Sequence, residues 1–188
     1  MGATPWDSPT PCAVWNLSQV TNHLIGTIAA LTRALSGDQV EPTALAPDVT
    51  AATDHVGADA LAAFDRATES FLAARPTDPA AMSEPRAMPM GEVPAGAVVN
   101  LVALDATVHG WDIGRASGQD PVIPTGLAQP LLVFARHFIR PAASGGIIGA
   151  KVGRRRRLAD GPPGRLPGPP VLIRLTTGGQ RVSSPGNA

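Results

Sequence analysis

Residues 94–118, PAGAVVNLVALDATVHGWDIGRASG, decide how this chain is read, because they carry both a clear helical pattern and the densest chemistry. Pro94 suits a first helical turn, where its missing N–H is no loss, and Gly118 suits the position just past a helix end. The spacing therefore predicts a helix over about residues 94–117. Asp105 and His109 stand four residues apart in it and stack on one side, together with Val98, Leu101 and Val108. That side is expected to face a core, where an ionised Asp is costly unless a partner neutralises it.

An earlier helix supplies the third side chain of interest. Asn16 followed by Gln19 matches a capping box. Leu17, Val20, Leu24, Ile28, Leu31 and Leu35 then recur at helical spacing until Gly37. His23 lies between Val20 and Leu24 on this apolar stripe, so its imidazole is expected to reach inward from a second element. Residues 47–76 predict a long second helix with Val56, Leu61, Phe64, Phe71 and Leu72 on its apolar side, bent or divided at Gly57. Residues 77–94 are rich in Pro and Met and predict a loop, with MPMGEVP (88–94) a short extended piece. Residues 125–139 predict a last helix that tolerates Pro130 near its start. The expected fold class is all-α, and no internal repeat is present.

Composition narrows the function. The 188 residues, 44% of them hydrophobic, suffice for one domain with a real core. With 16% charged residues and no unbroken apolar run of spanning length, a soluble chain without a membrane partner is expected. No Lys or Arg precedes Arg33, which argues against a secretory leader and for a cytoplasmic location. Cys12 is the single cysteine, so an internal disulfide and a thiolate-clustered structural zinc site are both excluded. Any metal must be held by imidazole and carboxylate. The weight on Ala, Gly, Pro and Arg, with Lys151 the single lysine, points to GC-rich codons and a bacterial source.

The formal net charge of zero hides an asymmetry. Residues 1–150 hold seven Arg against fourteen acidic side chains, a balance of −7, whereas residues 151–188 hold Lys151, seven Arg and Asp160, a balance of +7. We accordingly divide the chain into a helical domain over residues 1–150 and a basic, Pro/Gly-rich tail over 151–188, expected to be disordered apart from a strand-like VLIRLTT at 171–177. The RRRR run at 154–157 lacks aromatic residues or a helical scaffold, so specific nucleic-acid binding is not expected. No phosphate loop, nucleophile elbow or dinucleotide fingerprint appears.

Spacing leaves two readings of His23, Asp105 and His109. In one, Asp105 and His109 form a hydrogen-bonded pair within their helix and a backbone carbonyl satisfies His23; spacing alone favours this. In the other, two helices present an N, O, N ligand set suited to zinc, nickel or ferrous iron. Asp112, one turn past His109, is expected either to orient a ligand from behind or to cap or face solvent. Trp15 and Trp111 are read first as core, then as pocket lining, and Cys12 as a small buried side chain. His55 and His137 are placed on helix surfaces as structural or solvent-facing groups.

The segments TPCAVWNLSQVTNHLIG (10–26) and EVPAGAVVNLVALDATVHGWDIGRASGQ (92–119) resemble the metal-binding domain shared by mycothiol-dependent maleylpyruvate isomerases and the DinB-like thiol-transferase superfamily. The resemblance covers most of residues 4–140 and implies a DinB-like four-helix bundle. It also implies one divalent metal, zinc first and nickel or iron as alternatives, held by His23, Asp105 and His109. It further implies mycothiol as a low-molecular-weight thiol cosubstrate and a small electrophilic substrate for isomerisation or S-transfer. The alternative is a non-catalytic metal-binding or truncated paralogue.

The isomerase resembles this chain with Glu where Asp105 stands, so the carboxylate arm here is one methylene shorter. Family members carry a helix before the TPC-type segment, so this bundle is expected to lack its first helix, leaving apolar surface exposed or covered in a homo-oligomer. The tail departs from the pattern entirely, as either a shifted reading frame or a genuine disordered tail would. No catalytic or thiol-binding residue is singled out.

Overall fold

The computed structural model describes residues 5–139. The expectations for the tail, including the strand-like 171–177, lie outside the described residues. The order of elements is α1 (Leu17–Leu35), a 3-10 turn (Pro42–Leu45), α2 (Pro47–Ala52), α3 (Ala60–Ala74), α4 (Pro79–Met82), β1 (Pro85–Met88), β2 (Gly91–Pro94), α5 (Ala95–Ala116) and α6 (Thr125–Phe134). A π-helical turn, Ala135–Ile139, continues α6. The described residues form an all-α fold with one small hairpin.

The capping box forms as the sequence predicts. Gln19 N–H donates to Asn16 Oδ1 at 2.9 Å, and Asn16 N–H donates to Gln19 Oε1 at 3.0 Å. The two preceding helix donors are also satisfied, Leu17 N–H by the Ser8 carbonyl and Ser18 N–H by the Trp6 carbonyl, each at 2.9 Å. A helix start leaves its first N–H groups without intrahelical partners, so these bonds tie the 5–16 segment onto α1 and fix where Trp15 sits. At the other end Gly37, at φ +90°, supplies the left-handed residue that ends the helix.

α1 is the central helix, packed against α2, α3 and α5. It is buried nearly all round, and the six stripe residues from Leu17 to Leu35 are all inside. α1 and α5 run in opposite directions. His23 meets Asp105 and His109 at one end, while the carbonyl of Leu35 lies beside the hairpin that leads into α5 at the other. The apolar core therefore lies towards the α1 C-terminus, where Leu24, Ile28, Leu31 and Leu35 join Phe71, Met88, Ala95, Val98 and Val102. Burying side chains of this size contributes about 1.5–3 kcal/mol each.

Of the two forms expected for residues 47–76 the chain takes the divided one, because Gly57 adopts φ +62° and Asp54 Oδ1 accepts the Gly57 N–H at 2.8 Å, while Asp59 caps α3 through the Ala62 N–H; three other expectations are corrected. Asn22 of α1 holds this break in place, its Oδ1 accepting from His55 N–H at 2.8 Å and Val56 N–H at 3.1 Å. His55 is thus on a loop rather than a helix surface.

Leu61, Leu72 and Val108 face outward, since α3 buries only Ala63 and Phe71, and the inward side of α5 runs through Val98 and Val102. Residues 85–94 are an antiparallel hairpin rather than a loop with one extended piece; Arg86 pairs with Val93 and Met88 with Gly91. Its Arg86 Nε donates to the Leu35 carbonyl at 3.1 Å, satisfying a helix-end acceptor, and Met88 enters the core. Among the described residues no helix is long and apolar enough to cross a membrane.

Candidate metal centre

The three chemically capable side chains converge at the end of the bundle away from the apolar core. α1 delivers His23 and α5 delivers Asp105 and His109. Asp105 Oδ1 lies 3.5 Å from His23 Nε2 and 3.6 Å from His109 Nε2. One ligand atom from each of the three falls within 4.8 Å of the others. A tetrahedral cation with bonds of about 2.0–2.1 Å separates neighbouring ligand atoms by about 3.3 Å, so the two shorter spacings are those one ion spans.

The outer nitrogens of both imidazoles are occupied. His109 Nδ1 lies 3.1 Å from Asp112 Oδ2, and His23 Nδ1 lies 2.7 Å from the Thr50 hydroxyl. A carboxylate only accepts, so the contact with Asp112 calls for a proton on His109 Nδ1, and Nε2 is the nitrogen that faces Asp105. Thr50 sits 3.1 Å from the Ala46 carbonyl and 3.2 Å from the Pro47 carbonyl, acceptors for its single proton. Asp112 is buried, so of the two roles read for it from sequence the structure has the one behind His109.

Asp105 Oδ2 is buried with no hydrogen-bond partner among the described residues. Leaving such an oxygen unpaired costs about 1–3 kcal/mol. The in-helix pair favoured by spacing alone is not a good hydrogen bond at 3.6 Å, and His23 is satisfied by a side-chain hydroxyl rather than a backbone carbonyl. The donor set and the orphaned oxygen both fit a divalent ion held by His23, Asp105 and His109.

Trp15 packs over the cluster, its ring centroid 4.5 Å from that of His23 and 5.7 Å from that of His109. Half-buried, it joins the site to a shallow pocket lined by Cys12, Val14 and Asn16, where Cys12 is a half-buried free thiol. Trp111 instead lines an apolar depression with Pro121, Ile123 and Leu127, under the Arg115 guanidinium. His137 bonds the Val133 carbonyl, and neither it nor His55 joins the cluster. Thr50 was not legible as a site residue. A threonine in a six-residue helix carries no signal of its own, and only the packing of α2 on α1 brings it to His23.

A helical bundle with a His–Asp–His cluster across two helices is the class these observations define. The chain belongs to the family of the mycothiol maleylpyruvate isomerase N-terminal domain, whose model matches residues 1–114. It is 31% identical over 137 residues to uncharacterized protein Rv0738 of Mycobacterium tuberculosis strain H37Rv, covering 73% of this chain and 68% of that one. The same figures hold for uncharacterized protein MT0763 of strain CDC 1551. No solved structure matches the chain significantly.

Proposed function

We propose that this protein binds one divalent cation, zinc before nickel or iron, through His23 Nε2, Asp105 and His109 Nε2, and uses it with mycothiol on a small electrophile. The observation that carries the reading is the convergence of two imidazole nitrogens on a carboxylate whose second oxygen is buried and unpartnered among the described residues. Family membership supports the thiol. A divalent cation held there stabilises a low-molecular-weight thiol as its thiolate at neutral pH.

The protein's own groups prepare the site. Asp105 supplies the negative charge, and Asp112 and Thr50 orient the two rings from behind. Trp15 shields the ligand nitrogens from water, leaving the side chains of His23 and His109 only 8% and 14% exposed. The substrate class is an electrophile open to a thiolate, either an activated alkene in cis–trans isomerisation or a carbon with a leaving group in S-transfer.

Metal content of the purified full chain tests the reading. About one equivalent is expected in the wild type, with loss in His23→Ala and His109→Ala. A folded wild type without stoichiometric metal, or variants that retain it, would refute the site. Incubating loaded protein with mycothiol and maleylpyruvate or an alkylating electrophile tests the thiol chemistry. Turnover supports it, and its absence leaves a metal-binding protein without catalysis.

A further inference from the structure

We propose that Thr50 is a positioning residue for His23, fixing its ring as the Nδ1–H tautomer so that the Nε2 lone pair faces Asp105; its bearing on metal rests on the function proposed above. Thr50 is 2% exposed and belongs to α2, an element contributing nothing else to the cluster. Its hydroxyl has one proton and three neighbours: His23 Nδ1 at 2.7 Å, the Ala46 carbonyl at 3.1 Å and the Pro47 carbonyl at 3.2 Å. Carbonyl oxygens cannot donate. If the proton went to Nδ1, the hydroxyl oxygen would turn its lone pairs on two carbonyl oxygens in a dry site. If it goes to a carbonyl, His23 Nδ1–H donates to the hydroxyl, and the ring nitrogen and the hydroxyl each have a partner.

The consequence is a relay from the first turn of α2, through Thr50, to the ring of His23. Asp112 does the same for His109 through Nδ1. The two imidazoles thus reach the same tautomer by different means, a carboxylate in one case and a backbone-anchored hydroxyl in the other. A hydroxyl adds no charge next to His23, so the ring is oriented while Asp105 remains the sole carboxylate near it among the described residues. Outer partners of this kind typically change metal affinity by about 10–100-fold when removed.

The test compares wild type, Thr50→Val and Thr50→Ser as full chains. Nitrogen-15 shifts of the His23 ring, read in metal-free protein at about pH 8 where imidazole is neutral, report the tautomer directly. The expected result is Nδ1–H in wild type and Thr50→Ser, with a mixture or Nε2–H in Thr50→Val. Competition with a chromophoric chelator then reads zinc affinity, expected to fall at least tenfold in Thr50→Val and to return in Thr50→Ser. An Nε2–H ring in wild type, or an unaltered tautomer in folded Thr50→Val, overturns the assignment. Should the wild type take up no zinc, the metal proposal fails, while the nitrogen shifts still decide the role of Thr50.

Discussion

Replacing Asp105 by Asn should move the stability of the protein in opposite directions with and without metal. The amide has the shape of the carboxylate but carries no charge and adds two donors. In metal-free protein Asp105 Oδ1 faces His23 Nε2 and His109 Nε2 at 3.5 and 3.6 Å, both beyond a good hydrogen bond, and Oδ2 is buried without a partner among the described residues. An unpaired buried polar group costs about 1–3 kcal/mol, and because the side chain is 21% exposed the lower half of that range applies. Asn in place of Asp105 removes the unpaired charge from this buried position, and its NH2 is a donor for an imidazole nitrogen that carries a lone pair. Asp105→Asn is therefore expected to stabilise the metal-free protein by about 1–2 kcal/mol, a rise in melting temperature of roughly 3–6 °C for a domain of this size.

With zinc the order reverses. An ion that binds only the folded state at a hundred times its Kd stabilises it by about 2.7 kcal/mol, and a neutral amide forfeits most of this. Thermal melts of both proteins in chelator and in excess zinc give all four values. The reasoning is refuted if Asp105→Asn lowers the melting temperature in chelator, or if zinc raises the melts of the two proteins equally.

Two further outcomes bear on the segment that packs behind the site. Burial holds the His55 pKa below its ordinary value of 6.5, with the Asp54 carboxylate pulling the other way. A lowered folded-state value means the unfolded chain binds the proton more readily, so this contribution to stability is full above about pH 6.5 and is lost as pH falls below it. Denaturant titrations across that range should show a shallower loss in His55→Gln than in wild type, and identical slopes would exclude the effect. A Cβ on Gly26 would lie 2.6 Å from His55 Nε2 and 2.7 Å from its Cδ2. Gly26→Ala should thus cost about 1–3 kcal/mol. In a His55→Ala background the same change should become neutral or stabilise by up to about 1 kcal/mol, since Ala is the better helix former; equal costs in both backgrounds would show that the ring is not the obstacle.

Much of this protein was legible along single helices. The cap at Asn16, the stripe from Leu17 to Leu35, the helix ending at Gly118 and the stacking of Asp105 on His109 follow from spacing, because helical geometry fixes which residues share a side over a few turns. Family resemblance, not spacing, singled out His23 as their partner. What the sequence could not decide depends on how separate elements cross. The hydrogen bonds that Asn22 accepts from the His55–Val56 backbone, the turning of Leu61 and Leu72 to solvent, the pairing of residues 85–94 into a hairpin, and the seats of Trp15 and Thr50 over and behind His23 are long-range outcomes. They were chosen by which arrangement buries the apolar end of α1 and satisfies its polar end, a choice no local periodicity encodes.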